Sequence, residues 1–225
     1  MWVFPVFISL LLIAALIEIA VALYAWRHRL TVGALQLVMF TAASVVWTLA
    51  YSLELVSTSL SAKLLWIGVA YLGVAFLPVL YLRFAIAYTC SATWLWPWRG
   101  APWYIIPVIT IVLNWTNSAH GLYYQNVTLI YAGPLVLLSA TPGLWLWVFV
   151  TYGYALLAIG LILFWQASRK ASALHRRQIT LIAVSTLIPW LANGLHLFGL
   201  HPFMPLDITP IALAFSGLAI LWGMF

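Results

Sequence analysis

Long apolar segments separated by short polar connections dominate the hydrophobic pattern of this chain. An α-helix needs about 20 apolar residues to cross a hydrocarbon layer of roughly 30 Å. Seven segments, most of them near or above that length, account for the 225 residues together with their connections. The pattern therefore predicts helices at about residues 4–25, 32–56, 62–88, 101–116, 143–167, 178–198 and 206–225.

The composition indicates that lipid, and not water, surrounds most of the protein surface. Hydrophobic residues make up 66% of the chain and charged residues 5%, whereas a soluble domain carries about 25% charged residues. The run from Val3 to Tyr24 is followed, not preceded, by positive charge, which indicates a retained helix and not a cleaved signal peptide. We predict an all-α, multi-pass protein of the plasma or inner membrane, with one transmembrane domain over residues 1–225.

Basic residues alternate between the predicted connections and so indicate the orientation. Cytoplasmic connections of membrane proteins carry an excess of Lys and Arg. The basic residues lie after the first, third and fifth helices, namely Arg27, Arg29, Arg99, Arg169, Lys170, Arg176 and Arg177. The N-terminus is then outside and the C-terminus cytoplasmic, with Lys63 on the outer side and Arg83 within the third helix. The basic stretch SRKASALHRR is expected to be a solvated loop that contacts anionic lipids.

The longest predicted connection, at about residues 117–142, faces outward in this topology. It begins with the polar and aromatic stretch NSAHGLYYQN. Loops longer than about 12–15 residues without regular structure are uncommon and are often functional. The alternation in YYQNVTLIYAGP predicts two short strands that turn near Gly133 and Pro134.

Polar and aromatic side chains gather at the predicted outer ends of the helices. Ionisable groups at membrane depth usually face a bundle interior or a wet cavity, and small-molecule sites combine apolar walls with a few polar groups. The sequence thus predicts an outward-facing ligand pocket, in which Asn117 and His120 reach toward Glu54 and Asp207. The predicted ligand-binding residues are Glu54, Trp66, Asn117, His120, Tyr124, Asn193, His196 and Asp207.

Structural roles for the same residues stay open. Asp207 suits the cap of the last helix, and Asn193 suits a hydrogen bond between helices. Most of the 14 Trp residues are expected to anchor or pack at the membrane interface. Glu18 and Arg83 fall in the inner halves of the first and third helices, and we expect them to form a structural ion pair.

The sequence excludes some functional classes and leaves others open. A retinal protein needs a Schiff-base lysine in its last helix, but the lysines here are Lys63 and Lys170. A single cysteine, Cys90, rules out an intramolecular disulfide framework, and no metal or cofactor is predicted. A small-solute permease remains an alternative, as does a membrane protein that binds haem or a quinone. A pH sensor that uses His120 and His196 would be one version of a signal receptor.

Five segments, in order, resemble the N-terminal seven-helix sensor region of bacterial and archaeal histidine kinases. They are VVWTLAYSLEL, AKLLWIGVAYLGVAFLPVLYLRFAIAYT, IIPVITIVLNWTNSAHGLYY, RRQITLIAVSTLIPWLANGLHLFG and LDITPIALAFSGLAILWGMF. The positions that match the family are Trp47, Glu54, Trp66, Pro78, Asn117, His120, Gln178, Pro189, Asn193, Asp207 and Pro210.

The resemblance implies a sensory input module of a two-component system. In that family the seventh helix usually continues into a cytoplasmic PAS, histidine kinase or diguanylate cyclase module, which is then the expected output partner. Catalysis would belong to that module and not to this region. The other expected partners are a small-molecule or lipid-like ligand, membrane lipids and a second copy of the chain.

Overall fold

The predicted all-α class is confirmed, and one antiparallel β-hairpin accompanies the helices of the described chain. A computed structural model describes residues 3–89, 101–132, 135–200 and 205–225 and is 80% helical. Arg99, His201 and the predicted turn residues Gly133 and Pro134 lie outside the described residues. The elements are α1 (Val3–Arg27), α2 (Ala34–Val56), α3 (Leu60–Val74), α4 (Leu77–Thr89), α5 (Ala101–Trp115), α6 (Asn117–His120), β1 (Tyr124–Ala132), β2 (Leu135–Pro142), α7 (Leu144–Lys170), α8 (Ala173–Leu197) and α9 (Thr209–Met224).

Five helical stretches of the described chain are long and apolar enough to cross a membrane. They are Val6–Arg27, Ala34–Val56, Leu60–Thr89, Leu144–Lys170 and Ala173–Leu197. The apolar helices Pro102–Trp115 and Thr209–Met224 are shorter. Length and composition alone therefore support a multi-pass membrane protein with at least these five spans.

One predicted helix is interrupted in the structure, and one predicted helix boundary was wrong. The predicted third helix, 62–88, is divided into α3 and α4 at Ala75 and Phe76, because Pro78 has no N–H to donate to the carbonyl four residues earlier. The predicted sixth helix starts earlier than residue 178, since α8 begins at Ala173. Much of the stretch SRKASALHRR is therefore helical, and only Ala171 and Ser172 connect α7 to α8.

Helix α2 is central to the bundle, because it contacts α1, α3, α4 and α9. Its contact with α3 depends on Gly73, where an added Cβ would lie 2.2 Å from the carbonyl oxygen of Ala43. The contact between α4 and α7 depends on Gly160 in the same way, since a Cβ there would lie 2.4 Å from the Tyr81 ring. Both glycines permit a close approach of helices that any larger side chain would prevent.

The predicted β-hairpin is confirmed. Strands β1 and β2 pair antiparallel, from Tyr124 opposite Pro142 to Ala132 opposite Leu135, with an irregularity between Gln125 and Thr128. At the start of the connection, the one-turn helix α6 is followed by Gly121 in the left-handed conformation. The outer stretch is thus a folded unit and not an irregular loop.

The two ends of the bundle differ in chemistry. Phe225 follows α9, and its ring lies 5.3 Å from Tyr24 and 5.1 Å from His28, beside the basic end of α1. At the opposite end, α2 finishes near Glu54 and the chain enters α9 through Asp207. Helix α9 therefore connects the acidic end of the bundle to the basic end.

Candidate functional site

A cavity of about 380 Å³ lies at the acidic end of the bundle. Its walls come from α2, α3, α7 and α8, from the hairpin, and from the segment that leads into α9. We call it the outer cavity. Its polar and aromatic lining includes Trp47, Tyr51, Glu54, Trp66, Tyr71, Tyr123, Tyr124, Phe149, Asn193, His196 and Asp207.

Most of the predicted ligand-binding residues meet in this cavity. Six of the eight line it, namely Glu54, Trp66, Tyr124, Asn193, His196 and Asp207. Their convergence from separate elements gives the cavity a mixed polar and aromatic wall of the kind that small-molecule sites have. A role in ligand binding stays a prediction for each of them.

Asn117 and His120 do not reach this cavity, so their expected approach to Glu54 and Asp207 was wrong. The side chain of Asn117 accepts hydrogen bonds from the N–H groups of Tyr123 (2.9 Å) and Tyr124 (3.0 Å) and donates to the carbonyl of Tyr124 (2.8 Å). His120 is exposed and bonds locally to Thr116 and to the N–H of Leu122. Local backbone donors satisfy both polar side chains, and Asn117 fixes the start of the hairpin.

A buried ion pair joins α2 to α3 at the acidic end of the bundle. Lys63 Nζ lies 2.8 Å from Glu54 Oε1 and also donates to the Glu54 carbonyl at 2.8 Å. Lys63 is fully buried, and Glu54 is 7% exposed. Because the partners balance each other, this pair contributes no net charge to the outer cavity.

Asp207 links the cavity to the first turn of α9. Its Oδ1 accepts hydrogen bonds from the N–H of Thr209 (2.9 Å) and from the Thr209 hydroxyl, so it binds the first residue of α9, although the N-cap position itself is Ile208. Its own N–H donates to the hydroxyl of Tyr51 on α2 at 2.8 Å. Among the described residues, no cation forms an ion pair with this carboxylate, and Oδ2 makes no hydrogen bond with them.

Three tyrosines connect the hairpin to α3 at the cavity wall. The hydroxyls of Tyr71 and Tyr124 lie 3.0 Å apart, and the rings of Tyr71 and Tyr123 lie 5.0 Å apart in an edge-on arrangement. Tyr123 is fully buried, and its hydroxyl makes no hydrogen bond with a described residue. Burial raises the pKa of Tyr124 well above its usual range, with further increases from Tyr71, Asp207 and Glu54.

A second, smaller cavity of about 80 Å³ lies deeper in the bundle. This inner cavity shares five lining residues with the outer one, namely Trp47, Val74, Phe149, Val150 and Asn193. Its remaining wall is mostly apolar and includes Phe40, Pro78, Pro189, Trp190 and Leu213. The two cavities therefore adjoin, and the polarity falls from the outer to the inner one.

The predicted ion pair between Glu18 and Arg83 was wrong. Glu18 is buried and accepts hydrogen bonds from the hydroxyls of Ser44 and Thr48 on α2. Arg83 is exposed, and its Nη1 donates to the hydroxyl of Tyr104 on α5 at 2.8 Å. Helix α1 contacts α2 and α9, whereas α4 contacts α2 and α7, so the two charges face different neighbours.

The sequence analysis missed Tyr51 and the inner cavity. Tyr51 precedes Glu54 by three residues, and side chains at this spacing share a helix face, so its position near the site was available from the sequence. The inner cavity had no comparable signal, because most of its lining residues are ordinary apolar side chains of a helix core.

Comparison with known proteins agrees with this architecture. The model of a family described as the N-terminal 7TM region of histidine kinase matches residues 10–225. No curated protein matches the chain. The family match covers nearly all of the chain, which therefore belongs to this family of histidine kinase sensor regions. The chain is thus a multi-pass membrane protein.

Proposed function

We propose that this member of the histidine kinase 7TM family is a sensory input module that binds a small ligand in the outer cavity. Helix α9 then relays the binding to a cytoplasmic output domain. The observation that carries the proposal is the position of Asp207, which lines the cavity and also accepts hydrogen bonds from Thr209, the first residue of α9. A ligand that contacts this carboxylate acts directly on the helix that leads away from the site.

The proposed topology has seven transmembrane helices, an outer N-terminus and a cytoplasmic C-terminus in the cell membrane. Arg27, Arg169 and Lys170 end α1 and α7, and Arg176 and Arg177 lie in the first two turns of α8. Phe225 contacts the end of α1, so α9 ends on the basic side. The excess of positive charge favours the cytoplasm for that side and the outer face for the cavity.

The two short helices are included as spans in this proposal. At 1.5 Å per residue, α5 with 15 residues is about 23 Å long, and α9 with 16 residues is about 24 Å long. A bilayer adapts to a short span by local thinning at a modest cost per ångström. Both helices pack beside longer ones, since α5 contacts α3 and α7 and α9 contacts α1, α2 and α8.

The relay requires the ligand to prefer one arrangement of α8 and α9 over another. Only a difference in affinity between two states shifts their populations. The ligand would contact Asn193 and His196 on α8 and Asp207 before α9, so a change in their spacing changes its affinity. Movement of α9 would then alter its contact with α1 at Phe225 and pass to the output domain.

The proposed partners follow from the family and from the basic end of the bundle. A cytoplasmic kinase, PAS or cyclase module is the output partner, and any catalysis belongs to it. Arg169, Lys170, Arg176 and Arg177 are placed to contact anionic lipid head groups. Because histidine kinase outputs act as dimers, a homodimer of the input module is part of the proposal.

Two variants, each with one alanine replaced by phenylalanine, test the ligand site. Ala70 lines the outer cavity, and Ala70→Phe would occupy part of its volume. Ala20 is exposed on α1, so Ala20→Phe makes the same change on the lipid-facing surface. Each variant and the wild type is purified in nanodiscs, and mass spectrometry identifies the small molecules released on denaturation.

We expect a compound that the wild type and Ala20→Phe release and that Ala70→Phe does not. The same compound should protect the wild type, but not Ala70→Phe, against thermal unfolding. Equal release of every compound from all three proteins would contradict a ligand site in the outer cavity.

A further inference from the structure

We infer that the ligand is an amphipathic organic cation, with a protonated amine at Asp207 and an apolar tail that enters the inner cavity. This inference rests on the proposed function, because it names the chemical class of the ligand of that same site. Three features of the two cavities carry it: their net charge, their unused hydrogen-bonding groups and the gradient of polarity between them.

The charge of the outer cavity is negative. Its carboxylates are Glu54 and Asp207, and no described Lys or Arg lines it. Lys63 is fully buried behind the wall and is paired with Glu54 at 2.8 Å, which leaves the carboxylate of Asp207 without a described cationic partner. His196 is the one basic side chain among the described lining residues. Asp207 is only partly exposed, and a charge withdrawn from water is costly unless it is paired, so a cation at Asp207 supplies what the protein does not.

The unused hydrogen-bonding groups fit a protonated amine. The Oδ2 atom of Asp207 has no described hydrogen-bond donor, and the buried hydroxyl of Tyr123 has no described partner. An alkylammonium group has three N–H donors and no acceptor, so it can donate to both the carboxylate and a hydroxyl oxygen. The buried Tyr123 hydroxyl without a partner costs free energy, and this ligand would donate to it and to the partly exposed carboxylate at once.

Aromatic rings around the carboxylate add a second preference for positive charge. Trp47, Trp66 and Tyr71 line the same cavity as Asp207. The faces of such rings attract ammonium groups, most strongly where water is excluded. An anionic head group would meet both the carboxylate and the negative ring faces, so the same wall opposes it.

The polarity gradient fits an apolar tail. The two cavities share Trp47 and Asn193, and the inner one continues to Pro78, Pro189 and Leu213. From the level of Glu54 to that of Phe40 there are 14 residues of α2, or about 21 Å at 1.5 Å per residue. A linear alkyl chain of moderate length therefore follows the path from the acidic end to the apolar end.

The apolar tail also explains how a bound ligand would change the packing of the helices. Pro78 follows the break between α3 and α4, and Pro189 lies within α8. Both are points where the helical hydrogen-bond ladder is already interrupted. A chain packed between them and Leu213 of α9 would separate or draw together three helices at their least regular positions.

Three matched compounds test the inference on the wild-type chain. Decylamine is protonated at pH 7, as a lysine side chain is, decanol is uncharged and decanoate is anionic, while all three have similar tails. Their binding is measured by native mass spectrometry of the full chain released from phosphatidylcholine nanodiscs, with affinities referred to the free aqueous concentration. We expect one decylammonium ion per chain, bound at least tenfold more tightly than decanol or decanoate.

Two further comparisons locate the head and the tail. Asp207→Asn removes the charge and retains an oxygen that can accept from Thr209, while His120→Ala changes a residue outside the cavity. Asp207→Asn should weaken decylammonium at least tenfold and leave decanol unchanged, and His120→Ala should change neither. Hexylamine, which lacks four methylene groups, should bind roughly a hundredfold more weakly than decylamine.

The outcomes separate this inference from the proposed function. Equal affinity of the wild type for decylamine, decanol and decanoate would overturn the inference of a cationic ligand. An unchanged preference of Asp207→Asn for decylamine over decanol would overturn it too. A neutral or anionic compound that Ala70→Phe fails to release would also overturn the cation while supporting the ligand site. If Ala70→Phe changes neither compound release nor decylamine binding, the ligand site and the cation fall together.

Discussion

Lys63 and Glu54 form a buried ion pair, with 2.8 Å between Nζ and Oε1, that joins the last turn of α2 to the first turn of α3. Glu54 lines the outer cavity, whereas Lys63 lies behind its wall. Glu54 thus has a structural partner that its position in the sequence, nine residues before Lys63, did not by itself reveal.

Removing only the cation of this pair should destabilise the protein strongly. Lys63→Met leaves Glu54 buried and unpaired, which costs about 3–5 kcal/mol. The double variant Glu54→Gln, Lys63→Met has no unpaired charge and should recover much of that loss. Unfolding of the three proteins in mixed micelles measures the difference, and a single variant as stable as the double one would refute the account of this pair.

The close approach of α2 and α3 at Gly73 predicts a second effect on stability. Gly73→Ala places a Cβ 2.2 Å from the carbonyl oxygen of Ala43, and relief of such a clash by backbone shifts costs about 1–3 kcal/mol. Gly217→Ala on α9 is the matched control, since the nearest heavy atom there lies 3.7 Å away. Thermal unfolding should show a clear loss for Gly73→Ala and little change for Gly217→Ala, and equal effects would be evidence against this helix contact.

Asn117 should control the order of the hairpin without touching the cavity. Asn117→Ala leaves the N–H groups of Tyr123 and Tyr124 without their acceptor, at a cost of about 1–3 kcal/mol. Amide hydrogen exchange in β1 and β2 should then be about tenfold faster or more. His120→Ala, in the same short helix, should leave exchange in the strands near the wild-type rate, and comparable acceleration by both variants would contradict the role given to Asn117.

The raised pKa of Tyr124 predicts a loss of stability at alkaline pH. In the unfolded chain a tyrosine ionises near pH 10, whereas burial keeps Tyr124 protonated to higher pH in the folded chain. The folded state then binds more protons, so the contribution is intact below about pH 10 and declines as the pH rises.

Tyr124→Phe removes this contribution and should make the decline of stability between pH 8 and pH 11 shallower. Tyr131→Phe is the control, because Tyr131 is exposed on the same strand. Denaturant midpoints measured across that pH range compare the three proteins. A decline as steep in Tyr124→Phe as in the wild type would show that Tyr124 is not the buried group described here.

The parts of the fold that depend on local patterns were predictable from the sequence. Apolar length located most helices, and alternation located β1 and β2, because both signals come from neighbouring residues. The sequence also carries a signal for the division at Ala75 and Phe76, because Pro78 lacks the N–H that the helical ladder needs. The early start of α8 was missed because basic residues were taken to indicate a loop, yet they are good helix formers.

The parts of the site that depend on distant contacts were not predictable. Six predicted residues line one cavity because each lies near the acidic end of its helix, on the hairpin or in the segment that leads into α9. The hydrogen bond from Asp207 to Tyr51 joins residues 156 positions apart, and no local pattern specifies such a partner. Glu18 was assigned to Arg83 by depth alone, whereas helix neighbours decide contacts and placed Ser44 and Thr48 beside it.

The most direct test of the account is a distance measured at the basic end of the bundle while the outer cavity is filled and emptied. Spin labels are placed at Leu30, which is 98% exposed between α1 and α2, and at Trp222, which is 80% exposed on α9, with Cys90 replaced by Ser. Pulsed electron spin resonance compares the full chain in nanodiscs, emptied and then reloaded with the compound that the wild type releases.

A relay through α9 predicts that reloading shifts the distance distribution by about 1–2 Å or more. Ala70→Phe should give one distribution under both conditions. Identical distributions in the emptied and reloaded wild type, with the compound demonstrably bound, would contradict the relay through α9.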